Sequence, residues 1–202
     1  MMKAAAILGL FAILGTTLVT SIYQITAERI AQNERRALLD SLYALIPAER
    51  VDNDMFADTL EVHDAELLGT PRPLIVYRAR KAGRPVAVVL NVIAPDGYSG
   101  RISLLVGIFY DGTIAGVRAV SHKETPGLGD AIDVTRSDWV DGFVQKSLRN
   151  PDTSGWAVKK DGGQFDQFTG ATITPRAVVR AVHNALIYYQ AHRDALFAER
   201  GS

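Results

Sequence analysis

The chain has 202 residues, enough for one substantial core and an appendage rather than several domains. Its 22 basic and 22 acidic side chains cancel, which argues against a surface built to neutralise nucleic-acid phosphates. Cysteine is absent, so disulfides, thiolate metal sites, iron–sulfur ligation and cysteine nucleophiles are excluded, and any redox chemistry must come from a bound organic cofactor.

Between Lys3 and Glu28 there is no charged side chain, and Ala, Leu, Ile, Val and Phe dominate. A helix needs about 20 such residues to cross the hydrocarbon layer, and Tyr23 stands where an interfacial aromatic belongs. A cleaved signal peptide also begins with a basic residue and an apolar stretch, but this run is long for one and no small-x-small site stands out before Ile22. The expectation is a retained single-pass anchor over 1–27, with Lys3 and the amino terminus in the cytoplasm and the rest of the chain outside it. Ile30, Leu38, Leu39, Leu42 and Leu45, interspersed with Glu and Arg, then predict an amphipathic connecting helix within 28–50 that Pro47 ends.

A domain is expected over 51–202. Short apolar-alternating stretches at 60–68 and 73–79 precede a strongly β-branched strand, PVAVVLNVI, at 85–93. ISLLVGIF at 102–109 reads as a buried strand, Asp111-Gly112 as a hairpin turn and 113–121 as the returning strand. Val134, Trp139, Val140, Phe143 and Leu148 predict a helix over 133–148, GWAVKK at 155–160 a further strand, and the run from Arg176 to about Phe197 a closing helix. The fold class is therefore α+β, a mainly antiparallel sheet covered by helices.

The segment DQFTGATITPRAVVRAV, from Asp166 to Val182, carries the chemistry. Thr174, Pro175 and the apolar period after them predict a helix start, with Thr174 as N-cap. Thr169 to Thr172 then lie just before a helix N-terminus, where unpaired amides and the helix dipole favour phosphate, and Gly170 and Ala171 leave the approach open. A hydroxyl such as that of Thr172 is suited there to carry a phosphoester.

This stretch resembles the FMN-binding domain family shared by the G subunit of Rnf/Rsx ion-translocating complexes and the C subunit of the Na+-pumping NADH:quinone reductase. In that family a flavin transferase reads Asp-x-x-Ser/Thr-Gly-Ala-Thr and esterifies FMN, through its phosphate, to the final threonine. Asp166, Thr169, Gly170, Ala171 and Thr172 match that pattern without departure, so the resemblance implies covalent FMN on Thr172, with Thr174 as the neighbouring hydroxyl. APDGYSG at 94–100 and SHKETPGLGD at 121–130 also look like this family, and the chain length favours the G subunit over the longer C subunit. The resemblance implies an electron-carrying subunit in the bacterial inner membrane, its domain on the periplasmic side. Its partners would be the other complex subunits and the transferase, without acid–base machinery of its own. A quinone-reductase C-type subunit and a non-redox membrane-anchored assembly module are the alternatives.

The resemblance also puts ETPGLGD, with Thr125, Gly127, Leu128 and Gly129, against the isoalloxazine ring, Leu128 meeting its apolar end and backbone N–H groups its polar edge. A tight strand-to-helix turn capped by Asp130 is the plainer reading of those residues. His122 and Glu124 are too few for a metal site and read as a surface ion pair. Asp96, Tyr98 and Ser99 read as turn residues that the resemblance brings near the flavin, and Trp139 with Phe143 as core.

Overall fold

The computed structural model describes residues 2–198; Met1 and residues 199–202, the outer limits of the expected anchor and domain, lie outside the described residues. The chain divides into two compact units, residues 1–40 and 41–202. Helix α1, Met2–Leu45, is continuous through the anchor and the amphipathic stretch, and stops two residues before Pro47. It is long and apolar enough to cross a membrane, and its apolar window is bare of protein cover.

The second unit is built on a five-stranded antiparallel meander in sequence order: β1 (Thr59–Asp64), β2 (Thr70–Lys81), β3 (Arg84–Gly97), β4 (Gly100–Phe109) and β5 (Ile114–Ser121). Tight hairpins set the register. Lys81 pairs with Arg84 across Ala82 and Gly83, both at positive φ (50° and 72°) as a type I′ turn requires. Gly97 pairs with Gly100 across Tyr98 and Ser99, and a Cβ on Gly97 would stand 2.3 Å from the Gly100 carbonyl oxygen.

Alternation along the strands divides the core between two faces. Val88, Leu90, Val92 and Ala94 of β3 and Ile102, Leu104, Val106 and Ile108 of β4 join one cluster with Val178, Val182, Ala185, Leu186 and Tyr189 of helix α2, Ile173–Phe197. On the opposite face Gly107 and Gly116 pair directly, and a Cβ on Gly116 would meet Leu45 Cδ2 at 2.9 Å, so the missing side chains make the seat for the last turn of α1. Burying a leucine such as Leu45 contributes roughly 1.5–3 kcal/mol.

Two expected elements are absent among the described residues. The stretch 133–148 forms no α-helix, only a 3₁₀ turn over Trp139–Phe143. Asp133 Oδ1 accepts from the Thr135 amide (2.8 Å) and hydroxyl (2.9 Å), and Ser137 Oγ accepts from the Trp139 amide, so side chains take the donors a helix would need. Gln145, at φ 64°, then donates its amide to the Ile114 carbonyl at 2.9 Å while the Ile114 amide donates to the Lys146 carbonyl at 2.8 Å, which draws the chain along β5. Residues 155–160 form no strand either. Asp152 Oδ1 holds the Gly155 amide at 3.0 Å in a 3₁₀ turn, and an isolated parallel bridge, Val158 to Phe165, stands in place of a strand. Phe143 is buried and stacks on Phe165 at 4.6 Å, with Trp139 edge-on to Phe143 at 5.3 Å, so both aromatics serve the core as expected.

Candidate functional site

Three segments far apart in sequence meet in a cleft of about 270 Å³: Tyr98 from the β3–β4 turn, Glu124, Thr125, Leu128 and Gly129 from the loop after β5, and Gly170 to Thr174 at the start of α2. The last segment arrives through a tight turn in which the Ala171 amide donates to the Phe168 carbonyl at 3.2 Å. Gly170 has φ 81°, the left-handed value a type II turn demands of its third residue. Phe168 is fixed by an edge-on contact with Trp139 at 5.1 Å, and Trp139 Nε1 donates to the Asp166 carbonyl at 2.8 Å.

Helix α2 begins at Ile173, one residue before the expected Thr174 cap. Thr174 is fully buried, and its hydroxyl donates to Glu124 Oε2 rather than to the backbone. The N-cap position falls to Thr172, which has nearly helical angles (φ −88°, ψ −19°) and makes no side-chain capping bond. Its half-buried hydroxyl faces the cleft uncommitted. No acidic residue stands in the first turn, so the positive end of the helix is not neutralised from within. Arg176 forms a two-pronged pair with Asp161, both contacts 2.6 Å, which holds the Asp161 carboxyl below the usual carboxylate range.

Glu124 corrects the expectation of a surface ion pair. It is 4% exposed, with Oε2 accepting from Thr174 and Oε1 from the Ser99 amide at 3.0 Å, so one carboxylate ties all three segments together. His122 Nδ1 accepts from the Glu124 amide at 3.2 Å instead of sharing a charge. A Cβ on Gly129 would stand 2.8 Å from both Glu124 Oε2 and Thr174 Oγ1, and glycine is what lets the two meet. The amides of Leu128 and Gly129 donate to the Thr125 carbonyl, each at 3.1 Å, and so are taken by the loop's own turn rather than offered to a ligand.

The cleft thus gathers Thr125, Leu128, Gly129, Gly170, Ala171, Thr172 and Thr174. Gly127, at φ 77°, only shapes the loop, and Thr169 is exposed on the turn outside. Asp166 lies away from the cleft, exposed and paired with Lys159 at 2.6 Å, beside an open groove with Trp139 and Phe168. Sequence reasoning missed Glu124 as a site residue; its spacing of fifty residues from Thr174 left no local signal. Around the mouth Tyr98, Leu128 and Ile173 are 67%, 43% and 46% exposed. An apolar mouth, a free hydroxyl and an open helix N-terminus together suit a phosphate-bearing aromatic ligand.

The class to which this fold belongs is that of the FMN-binding domains: residues 97–187 match that family, and residues 1–45 match the RnfG N-terminal region. The crystal structure of Shewanella oneidensis NqrC shares the fold, with TM-score 0.50 and 24% identity over 73% of this chain and 76% of that one. The G subunits of the ion-translocating oxidoreductase complexes of Pseudoalteromonas atlantica and Pseudomonas aeruginosa are both 52% identical to this chain, over 97% and 98% of its length and 91% and 92% of theirs. That of Shewanella baltica is 48% identical over 98% of this chain and 93% of its own. The chain belongs to the family of ion-translocating oxidoreductase complex G subunits.

Proposed function

We propose that this chain is a single-pass membrane electron carrier that holds FMN by a phosphoester between the cofactor's phosphate and Thr172 Oγ1. The observation that carries this reading is the uncommitted Thr172 hydroxyl at the N-terminus of α2, whose own first turn holds no acidic residue, inside a cleft with an apolar mouth. When bound, FMN supplies one- and two-electron chemistry. The residues of the chain do the rest. Thr172 prevents loss of the cofactor, the first turn of α2 offers its positive end to the phosphate, and Tyr98, Leu128 and Ile173 give the ring an apolar bed. At about 270 Å³ the cleft is smaller than the roughly 300–1,000 Å³ of pockets that enclose a ligand, so the flavin stays partly open to a partner.

Under this reading α1 crosses the inner membrane once with Lys3 inside, and residues 51–202 stand on the periplasmic side, where a tethered cofactor cannot diffuse away. The other subunits of the ion-translocating complex supply and remove electrons, and a flavin transferase forms the ester, reading Asp166 from outside the cleft. Peptide-level mass spectrometry on native protein tests it. FMN minus one water is expected on Thr172, and Thr172→Ala should abolish the adduct while leaving the fold intact. Fully processed protein without flavin, or with flavin on another residue, would overturn the reading.

A further inference from the structure

Glu124 is the only charged side chain among the described residues lining the cleft, and its position is a costly one for a charge. Its two oxygens are met by the Thr174 hydroxyl and the Ser99 amide, neither of which brings a positive charge. Both oxygens act as hydrogen-bond acceptors. Neighbouring acids differ. Asp96, Asp161 and Asp166 are exposed, each paired with Arg180, Arg176 or Lys159, so solvent and partner cancel most of their field. Among the described residues no cation pairs with Glu124, so its field is offset only by the partial positive end of α2 and is little screened by water. If tying three segments together were its whole task, a glutamine would serve, because the Thr174 hydroxyl can turn from donor to acceptor.

We infer that Glu124 sets the redox potential of the flavin, its buried negative charge holding that potential low. The inference rests on the flavin reading above. An electron entering the cleft from a partner adds one negative charge beside the carboxylate, and the repulsion disfavours the reduced form until the electron passes to the next acceptor. The carboxylate acts as a positioning and tuning group and exchanges no electron itself.

Midpoint potentials of the flavin-loaded full-length protein and its Glu124→Gln variant test this. The Gln protein should have the higher potential, whereas Glu124→Asp should stay nearer the native value even where it lowers thermal stability as much. Should Glu124→Gln fail to accumulate, Glu124→Asn is compared with Glu124→Asp, a second pair differing only in charge, and the Asn protein should have the higher potential. Equal potentials within a charge pair would overturn the inference. So would loss of flavin from both neutral variants with near-UV circular dichroism unchanged, which would make Glu124 a determinant of flavin attachment instead. Absence of flavin from the native protein is a different result, and sinks the parent reading.

Discussion

At the C-terminal end of α2 the last carbonyls are met by cations: Arg78 Nη1 donates to the Ala198 carbonyl at 2.8 Å and Arg80 Nη2 to that of Phe197 at 2.9 Å. Both guanidiniums also bind Asp58, with Arg78 almost fully buried, and Asn53 braces the group by donating to Asp58 and to the Arg78 carbonyl. At the N-terminal end the helix's own first turn holds no acidic residue, Thr172 makes no side-chain cap, and the carboxylate that reaches it, Glu124, bonds the Thr174 hydroxyl rather than the backbone amides. One end of the helix satisfies its dipole internally, and the other leaves it open for a ligand. The difference teaches that stability and function are separated along a single element, with the open end tolerable because the closed end and the core-facing stripe fix the helix.

That separation can be broken from either side. Arg78→Met should have the largest effect on stability, lowering the unfolding free energy by about 3 kcal/mol, because it strips a buried partner from Asp58 and a donor from the helix end. Urea unfolding checks this, and the flavin content of the surviving folded protein should be unchanged. Gly129→Ala should cost about 1–3 kcal/mol by forcing Glu124 and Thr174 apart. Unlike the arginine change it should also reduce flavin loading, measured as in-gel flavin fluorescence; full loading would separate the Glu124–Thr174 contact from the site.

The smallest effect belongs to the middle of the helix. His183 stacks on Trp156 at 5.1 Å, and burial holds its pKa below the ordinary 6.5. The unfolded chain takes up this proton near pH 6.5 and the folded chain only at lower pH, so stability is fully present above that value and declines as pH falls through the window. His183→Phe should flatten the decline without moving flavin content, as read from unfolding midpoints at several pH values. Asp111 and Asp133, held low by hydrogen bonds from Thr113 and Thr135, act only in a more acidic range.

Strands β3 to β5 were legible because β-branched alternation and Asp111-Gly112 are local signals, and α2 because its apolar period is. The turn at 168–171 was not read from the sequence, where Gly170 stood only for an open approach to the helix. The clamp and the floor of the cleft were not legible either, since each depends on partners distant in the chain: Arg78 on Asp58 and Ala198, Glu124 on Ser99 and Thr174. The stretch from 133 to 148 misled for a different reason. Trp139, Val140 and Phe143 carry helical spacing, but Asp133 and Ser137 offer the backbone local bonds that a helix does not displace.

The meander joins neighbours through short turns, so each strand can pair as soon as it follows its predecessor, with little loop entropy to overcome. Its α2-facing side is nonetheless complete only when a helix that lies wholly after the five strands docks on it. The same docking event delivers Gly170 to Thr174 to the Tyr98 turn and the Glu124 loop. A nascent or truncated chain therefore presents no assembled cleft, and the order of residues along the polypeptide acts as a checkpoint that places completion of the cleft after completion of the sheet.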